Sequence, residues 1–249
     1  MNELTDQVAI VTGAAQGIGE CIARNLAADG ARVLLADIQE DKVESVANSL
    51  RDEGMHAESF CVDIADPSQA AKMVARALEA FGQVDALVNN AALDAPPGKA
   101  WEIGETHWRE VIDVNLSGAW WCTQAVLSHM RKRQCGKIVT ISSASARMAS
   151  PETSPAYSAA KAGLIGLTIS LSVQLEGQGI LVNAITPGAT GNTGTPLSEA
   201  EGNLYSFAFP LGTGGPQPTA EAVRFLLRPS GDWISGAVLN ISGGLLRGI

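Results

Sequence analysis

Val8-Ala9-Ile10-Val11-Thr12-Gly13-Ala14-Ala15-Gln16-Gly17-Ile18-Gly19 is the stretch that decides the fold. Its unbroken apolar run suits a strand covered on both faces. The glycines that follow suit a tight turn opening a helix. Gly13 permits the turn, Gly17 lets the backbone approach a pyrophosphate, and Gly19 lets helix and strand pack closely. Free N–H groups and the dipole at a helix start favour phosphate charge. A glycine turn alone is weak evidence, because glycines also serve turns sterically; the strand-turn-helix context gives it weight. Gly13, Gln16, Gly17, Ile18 and Gly19 are therefore candidate dinucleotide contacts.

Outward from this stretch, short apolar runs alternate with helical patterns. Residues 33–36, 60–62, 86–88, 137–141, 181–185 and 237–241 read as further buried strands. Helical periodicity covers 18–29, 40–53, 67–81, 105–132, 156–177 and 219–227. Seven strands with intervening helices predict an α/β fold, a doubly wound seven-stranded parallel sheet built from right-handed crossovers. No linker or composition break divides residues 1–249, so a single domain is expected. Residues 93–104 and 187–218 break the rhythm. Both follow strands, on the carboxyl edge where open α/β sheets bind ligands, and 187–218 is expected to be a substrate loop.

Apolar residues make up 46% of the chain and charged ones 17%, enough for a large core. The net charge of -9 argues against sequence-independent binding to nucleic acid or anionic membrane. Cys21, Cys61, Cys122 and Cys135 lie far apart without metal-ligand spacing, as expected of free thiols in a reducing compartment. The polar start has no hydrophobic signal region, and no uninterrupted apolar stretch approaches ~18 residues, so a cytoplasmic protein is expected. No metal site is visible.

Asp37 ends the second strand about twenty residues beyond the glycines, where an acid accepts hydrogen bonds from adenosine ribose hydroxyls. A carboxylate there repels a 2′-phosphate, so NAD is expected over NADP. Neither Gln16 nor Ile38 offers a compensating charge, and Arg32 and Lys42 are less well placed by sequence. Asp63 and Ile64 follow the third strand, within reach of an adenine. Asn89, Asn90 and Ala91 follow the fourth, and either asparagine also suits a plain turn.

Tyr157 and Lys161 lie four positions apart at a predicted helix start and share a face. An ammonium near a phenol favours phenolate, as proton transfer from an alcohol near neutral pH requires. Ser143, just after the fifth strand, is placed to reach an oxygen held by Tyr157; Ser142 competes for that role, and Ser145 does so less well.

Taken together, Thr12-Gly13-x-x-x-Gly17-Ile18-Gly19, Asp37, Asp63, Asn89-Asn90-Ala91, Asn115, Ser143, Tyr157-Ser158-Ala159-Ala160-Lys161, Pro187-Gly188 and Gly243-Gly244 resemble the short-chain dehydrogenase/reductase family. The resemblance is to its short, single-domain, Rossmann-like branch and runs nearly end to end. It implies hydride transfer between a nicotinamide and a carbon bearing hydroxyl or carbonyl. Tyr157 would be the general acid/base, and Ser143 would hydrogen-bond the reacting oxygen. Lys161 would hold the nicotinamide ribose, and Asn115 would help hold a proton-relaying water. Epimerase or dehydratase chemistry shares Tyr-x-x-x-Lys, but usually with a further substrate domain. A non-catalytic NAD-binding regulator would not need Tyr157.

The chain departs from the family pattern at several places. Ala92 and Ser242 stand where glycine and aspartate are frequent. The position that often holds a threonine for the nicotinamide amide is Asn192, so Thr190 or Asn192 is expected to serve, beside Pro187 and Gly188. Thr213 replaces a usual arginine. The substrate pocket is expected from residues 93–98, Ser145, Met148, Thr153, Gly188 and the aromatics of 205–209, with Lys99 and Arg147 the cations nearest it. A neutral or hydrophobic alcohol or ketone follows. The all-round apolar segment 162–171, with 105–132, implies a homotetramer of dihedral symmetry.

Overall fold

The computed structural model describes residues 2–93, 99–148, 150–151, 153–191 and 210–247. Its strands are β1 Val8–Thr12, β2 Arg32–Asp37, β3 Ala57–Cys61, β4 Ala86–Asn89, β5 Gly136–Ile141, β6 Ile180–Pro187 and β7 Val238–Ile241. Its α-helices are α1 Gly17–Ala28, α2 Glu40–Asp52, α3 Pro67–Phe81, α4 Glu105–Ile112, α5 Ala119–Arg133, α6 Pro155–Gln174 and α7 Gln217–Leu227. The strands form one sheet in the order β3-β2-β1-β4-β5-β6-β7, and every pairing is parallel. The expected doubly wound, Rossmann-like sheet is therefore present.

The reason the strands read as unbroken apolar runs is visible in the packing. Successive side chains leave a strand on opposite faces. Ala9, Val11, Val33, Leu35 and Val88 enter a core with Ile22 and Leu26 of α1, Val43 and Leu50 of α2 and Val223 of α7. Ile10, Leu34, Leu87, Ile138 and Val182 enter a second core with Met73 of α3, Val126 and Met130 of α5 and Leu171 of α6. Ile10 lies between Leu34 and Leu87 in register. Chain order reverses at this central pair: β2 and β3 lie to one side of β1, and β4 begins the other. The carboxyl ends of β1 and β4 therefore border a crevice, the usual ligand position in such sheets.

Three expectations need correction. The third strand begins at Ala57 and ends at Cys61, and so runs earlier than 60–62. As an edge strand it tolerates Glu58 and Ser59, whose side chains meet Arg76 of α3 and Glu44 of α2, so its apolar signal is short. The helix expected over 105–132 is not regular throughout: a π-helical turn, Asp113–Gly118, joins α4 to α5. The helix expected over 156–177 stops at Gln174, and Gly177 and Gly179 that follow hold φ of 74° and 68°. That helix, α6, is apolar and long enough to cross a membrane by length and composition alone. It lies along the sheet, with Ala160, Leu164 and Leu171 buried.

The sheet end opposite the crevice is bound by polar contacts. Asp85, 5% exposed, accepts from Val8 N at 2.7 Å and pairs with Arg133 at 2.8 Å. Asp29 takes both Nε and Nη2 of Arg228, at 2.6 and 2.7 Å, and that hydrogen bonding holds its carboxyl below the usual range. His129 accepts from Val84 N through Nε2 at 3.2 Å, which requires a neutral ring. Burial, then the charge of Arg133, push its pKa below 6.5. An unfolded chain binds that proton more readily, so stability falls as pH drops below about 6.5. Thermal melts from pH 7.5 to 5.5, values near neutrality chosen to bracket this titration, should show a declining melting temperature. His129→Gln, which keeps the acceptor without the titration, should lessen that decline; an equal decline in both proteins would contradict the assignment.

Candidate active site

The crevice is a cleft of about 520 Å³, within the size range of cofactor and small-molecule sites. Gly13, Gln16, Ile18, Gly19, Asp37, Ile38, Asp63, Ile64, Ala91, Ser143, Tyr157, Lys161, Pro187, Gly188 and Thr190 all line it. Residues scattered over 178 positions of sequence are thus brought to one place by the carboxyl ends of the strands.

At its centre is the glycine turn. Gly13 holds φ +67°, and a Cβ there would lie 2.7 Å from Ala91 Cα. A Cβ on Gly19 would lie 2.0 Å from Gly13 O, so helix and turn approach too closely for any side chain. Gln16 at the start of α1 makes no side-chain cap, which leaves the first N–H groups of the helix without that partner. A cradle without side chains beside an uncapped helix start fits a pyrophosphate. Gly17, with φ +60°, supports the turn without lining the cleft.

The two asparagines separate cleanly. Asn89 continues the strand alternation and donates to Thr123 Oγ1 of α5 at 2.9 Å, away from the cleft. Asn90 lines the cleft and donates through Nδ2 to Thr12 O and Gly13 O, at 2.9 and 3.1 Å. Thr12 Oγ1 in return accepts from Asn90 N and Ala91 N, at 3.0 and 3.1 Å. Asn90 and Thr12 therefore tie the end of β4 to the turn after β1. Thr12 was legible only as part of the family pattern, because a strand-end threonine carries no signal alone.

At one end of the cleft, Asp37 is 8% exposed and accepts from Ala15 N and Gln39 N, both at 3.0 Å. Ile38 is 66% exposed at the rim, and Asp63 Oδ1 accepts from Ala65 N at 2.9 Å. Ile64 sits under Gly118, where a Cβ would lie 2.8 Å from its side chain. Arg32 is spent elsewhere, on Phe81 O and Asp6 O. Lys42 is not: its Nζ lies 3.3 Å from Gln16 Oε1 and 2.7 Å from Gln39 Oε1. Lys42 does not itself line the cleft, but the first turn of α2 carries it back over Gln39, which does.

At the other end stand Ser143, Tyr157 and Lys161. Lys161 is 2% exposed; its Nζ donates to Ile141 O at 3.0 Å and lies 5.6 Å from the Tyr157 ring centroid. Ser142 Oγ donates to Lys161 O at 2.7 Å, so the competing serine is spent in holding the helix. Ser143 Oγ accepts from Ser145 N at 3.1 Å, which leaves its own O–H to donate. Ser154, just before α6, turns its hydroxyl to His107 Nε2 of α4 at 3.2 Å. Asn115 lies in the π-helical turn, 1% exposed. Its Oδ1 accepts from Leu93 N at 2.7 Å and its Nδ2 donates to Leu93 O at 3.0 Å. The side chain does not line the cleft; it clamps the strand-four loop, while its neighbour Val114 and its partner Leu93 do line it.

Gly188 N donates to Ile241 O at 3.0 Å, and a Cβ there would lie 2.8 Å from Ser242 backbone, which explains the glycine. Thr190 is buried beside it, and Asn192 lies outside the described residues. So do residues 94–98 and the aromatics of 205–209. Of the remaining substrate-pocket expectations, Leu93 and Gly188 line the cleft. Ser145, Met148, Thr153, Lys99 and Arg147 do not. Ser145 N is turned back to Ser143, and Thr153 Oγ1 accepts from Ser150 N.

Comparisons with known proteins agree with this geometry. A family model described as short chain dehydrogenase matches residues 7–202. The chain is 37% identical to cis-4-hydroxycyclohexanecarboxylate dehydrogenase of Sinomonas cyclohexanicum, over 96% of each chain. It is 34% identical to a 3-oxoacyl-[acyl-carrier-protein] reductase of Synechocystis sp., over 99% of each. Among solved structures, gox2181 superposes with a TM-score of 0.94 at 32% identity, covering 98% of this chain and 97% of that one. A short chain dehydrogenase from Burkholderia cenocepacia in complex with NADP gives 0.91 at 31% identity, covering 98% and 99%. Gly19→Ala should leave far-ultraviolet dichroism near that of the parent and abolish the fluorescence change of an added reduced nicotinamide dinucleotide. Undiminished binding would show that the close contact of Gly19 with Gly13 does not shape the site.

Proposed function

This chain belongs to the short chain dehydrogenase family, and from that premise we propose that it is an NAD(H)-dependent oxidoreductase interconverting a secondary alcohol and its ketone, with Tyr157 as general acid and base. The observation that carries this reading is the convergence of Ser143, Tyr157 and a buried Lys161 on the cleft that also holds the glycine turn. A buried ammonium is costly, and its place beside a phenol ring gives it a task.

A nicotinamide dinucleotide, when bound, would supply the hydride carrier. The glycine turn and the start of α1 would hold its pyrophosphate, and Asp37 would accept from the adenosine ribose hydroxyls. Asp63, Ile64 and Ile38 would flank the adenine, while Pro187, Gly188 and Thr190 would meet the nicotinamide end. Ser143 donates its O–H to the substrate oxygen and holds it against Tyr157. In the oxidative direction the Tyr157 phenolate takes the alcohol proton; in the reductive direction the phenol returns it. Lys161 favours the phenolate by its charge and reaches the nicotinamide ribose. Asn115 fixes the Leu93 backbone, and from there would help hold a water that passes the proton outward. Leu93, Val114 and Ala189 give the cleft apolar walls, which favour a neutral or hydrophobic substrate.

Tyr157→Phe should lower turnover by about a hundred- to ten-thousandfold and leave NADH affinity unchanged. An absorbance screen of alcohols with NAD and ketones with NADH supplies the assay, and retained turnover in the variant would sink the mechanism. The same chain is proposed to be a homotetramer of dihedral symmetry, placed in the cytoplasm. Ala162, Gly166, Ile169 and Val173 leave an exposed apolar face on α6, with Val173 65% exposed. Sedimentation at micromolar concentration should give a tetramer, and Ile169→Arg should give smaller species. A monomeric parent would refute the assembly.

A further inference from the structure

The start of α6 departs from the rule for its residue type. Ser154 stands just before the helix, where a serine hydroxyl ordinarily turns back to accept from the first helical N–H groups. It makes no such bond. Its Oγ lies instead 3.2 Å from Nε2 of His107, 47 positions earlier in the chain and on α4. The first turn of α6 thus forgoes a local cap for a contact with another helix, at a serine that is 2% exposed. Departures from a local rule collect at functional sites.

That first turn is the one that carries Tyr157. Lys161, one turn later, is anchored twice: its Nζ donates to Ile141 O at 3.0 Å, and its carbonyl accepts from Ser142 Oγ at 2.7 Å. Tyr157 comes before these anchors, shortly after Ser154 and after Pro155, which has no N–H to give. A helix end without a cap frays unless something outside the helix holds it. His107 belongs to the helix that leads to Asn115. Val111, four residues on and on the same face, is fully buried, and the π-helical turn that holds Asn115 follows. The contact of His107 with Ser154 therefore ties together the two helices that carry Tyr157 and Asn115, although neither His107 nor Ser154 lines the cleft.

We propose that His107 is a positioning residue for the proton transfer. Through Ser154 it holds the first turn of α6 at a fixed depth, so that the Tyr157 hydroxyl keeps one place relative to Lys161 and Ser143. This inference rests on the proposed role of Tyr157. Dinucleotide binding depends on the strand ends and the glycine turn instead, so the contact acts on turnover and not on affinity. A small displacement of a reacting group is enough to slow the chemical step.

The test compares kcat, KM and the dissociation constant of the reduced dinucleotide in the full chain, with an alcohol and ketone pair found by the absorbance screen. His107→Ala should lower kcat on the order of tenfold and leave KM and dinucleotide affinity close to those of the parent. Ser154→Ala should show the same loss, and the double variant no more than either, because both remove one shared contact. His107→Gln, whose amide nitrogen reaches the place of Nε2, should restore most of kcat. Unchanged kcat in His107→Ala, losses that add in the double variant, no recovery with glutamine, or affinity lost in step with kcat would overturn the inference and leave the proposed function standing. Turnover that survives Tyr157→Phe would overturn the proposed function and the inference with it.

Discussion

Lys161 carries a positive charge where water scarcely reaches, and that constraint organises the reactive end of the cleft. An ammonium removed from solvent is tolerated only with partners held in place. Ile141 supplies its carbonyl at the very end of β5, and the Tyr157 ring stands 5.6 Å away, one helical turn earlier. The helix must then sit at one depth and one rotation on the sheet. Ser142 secures this from β5 by donating to the Lys161 carbonyl, and Gly163 lets α6 rest on Leu116 of the π-helical turn. Ser143, next along the chain, lines the cleft together with Tyr157.

A second set of contacts joins this end to the phosphate cradle. Asn90 donates through its backbone N–H and its side-chain amide to Thr12 across the gap between β1 and β4, the place where strand order reverses. Asn115 clamps Leu93, three residues beyond Asn90, so the segment 90–93 is held at both ends. The π-helical turn has a clear purpose in this arrangement. A regular helix would advance by 3.6 residues per turn, whereas the wider turn swings Asn115 inward without breaking the run from α4 to α5. Two buried carboxylates that stabilise the fold, Asp29 with Arg228 and Asp85 with Arg133, lie at the opposite end of the sheet.

Much of this was legible in the sequence. Unbroken apolar runs marked six strands closely: five are buried on both faces, and β7, the other edge strand, is half-buried but keeps an apolar run. The same criterion placed β3 late, since an edge strand needs only one apolar face and Glu58 and Ser59 hide its start. The glycine turn was readable because steric demand leaves few alternatives at Gly13 and Gly19. The π-helical turn left no trace in the apolar periodicity of 105–132, which a local insertion hardly disturbs. The choice between Ser142 and Ser143, or Asn89 and Asn90, depends on which face of a strand end each leaves by, and neighbouring identical residues conceal it.

The chain has two tyrosines, Tyr157 and Tyr205, so ionisation of a single phenol can be followed once Tyr205 is replaced. Ultraviolet difference titration of Tyr205→Phe, with and without Lys161→Met, therefore tests directly whether the buried ammonium prepares Tyr157 for proton transfer. The phenolate band of Tyr157 should rise at distinctly lower pH while Lys161 is present and move upward when it is replaced by methionine. Superimposable titrations of the two proteins would contradict the account.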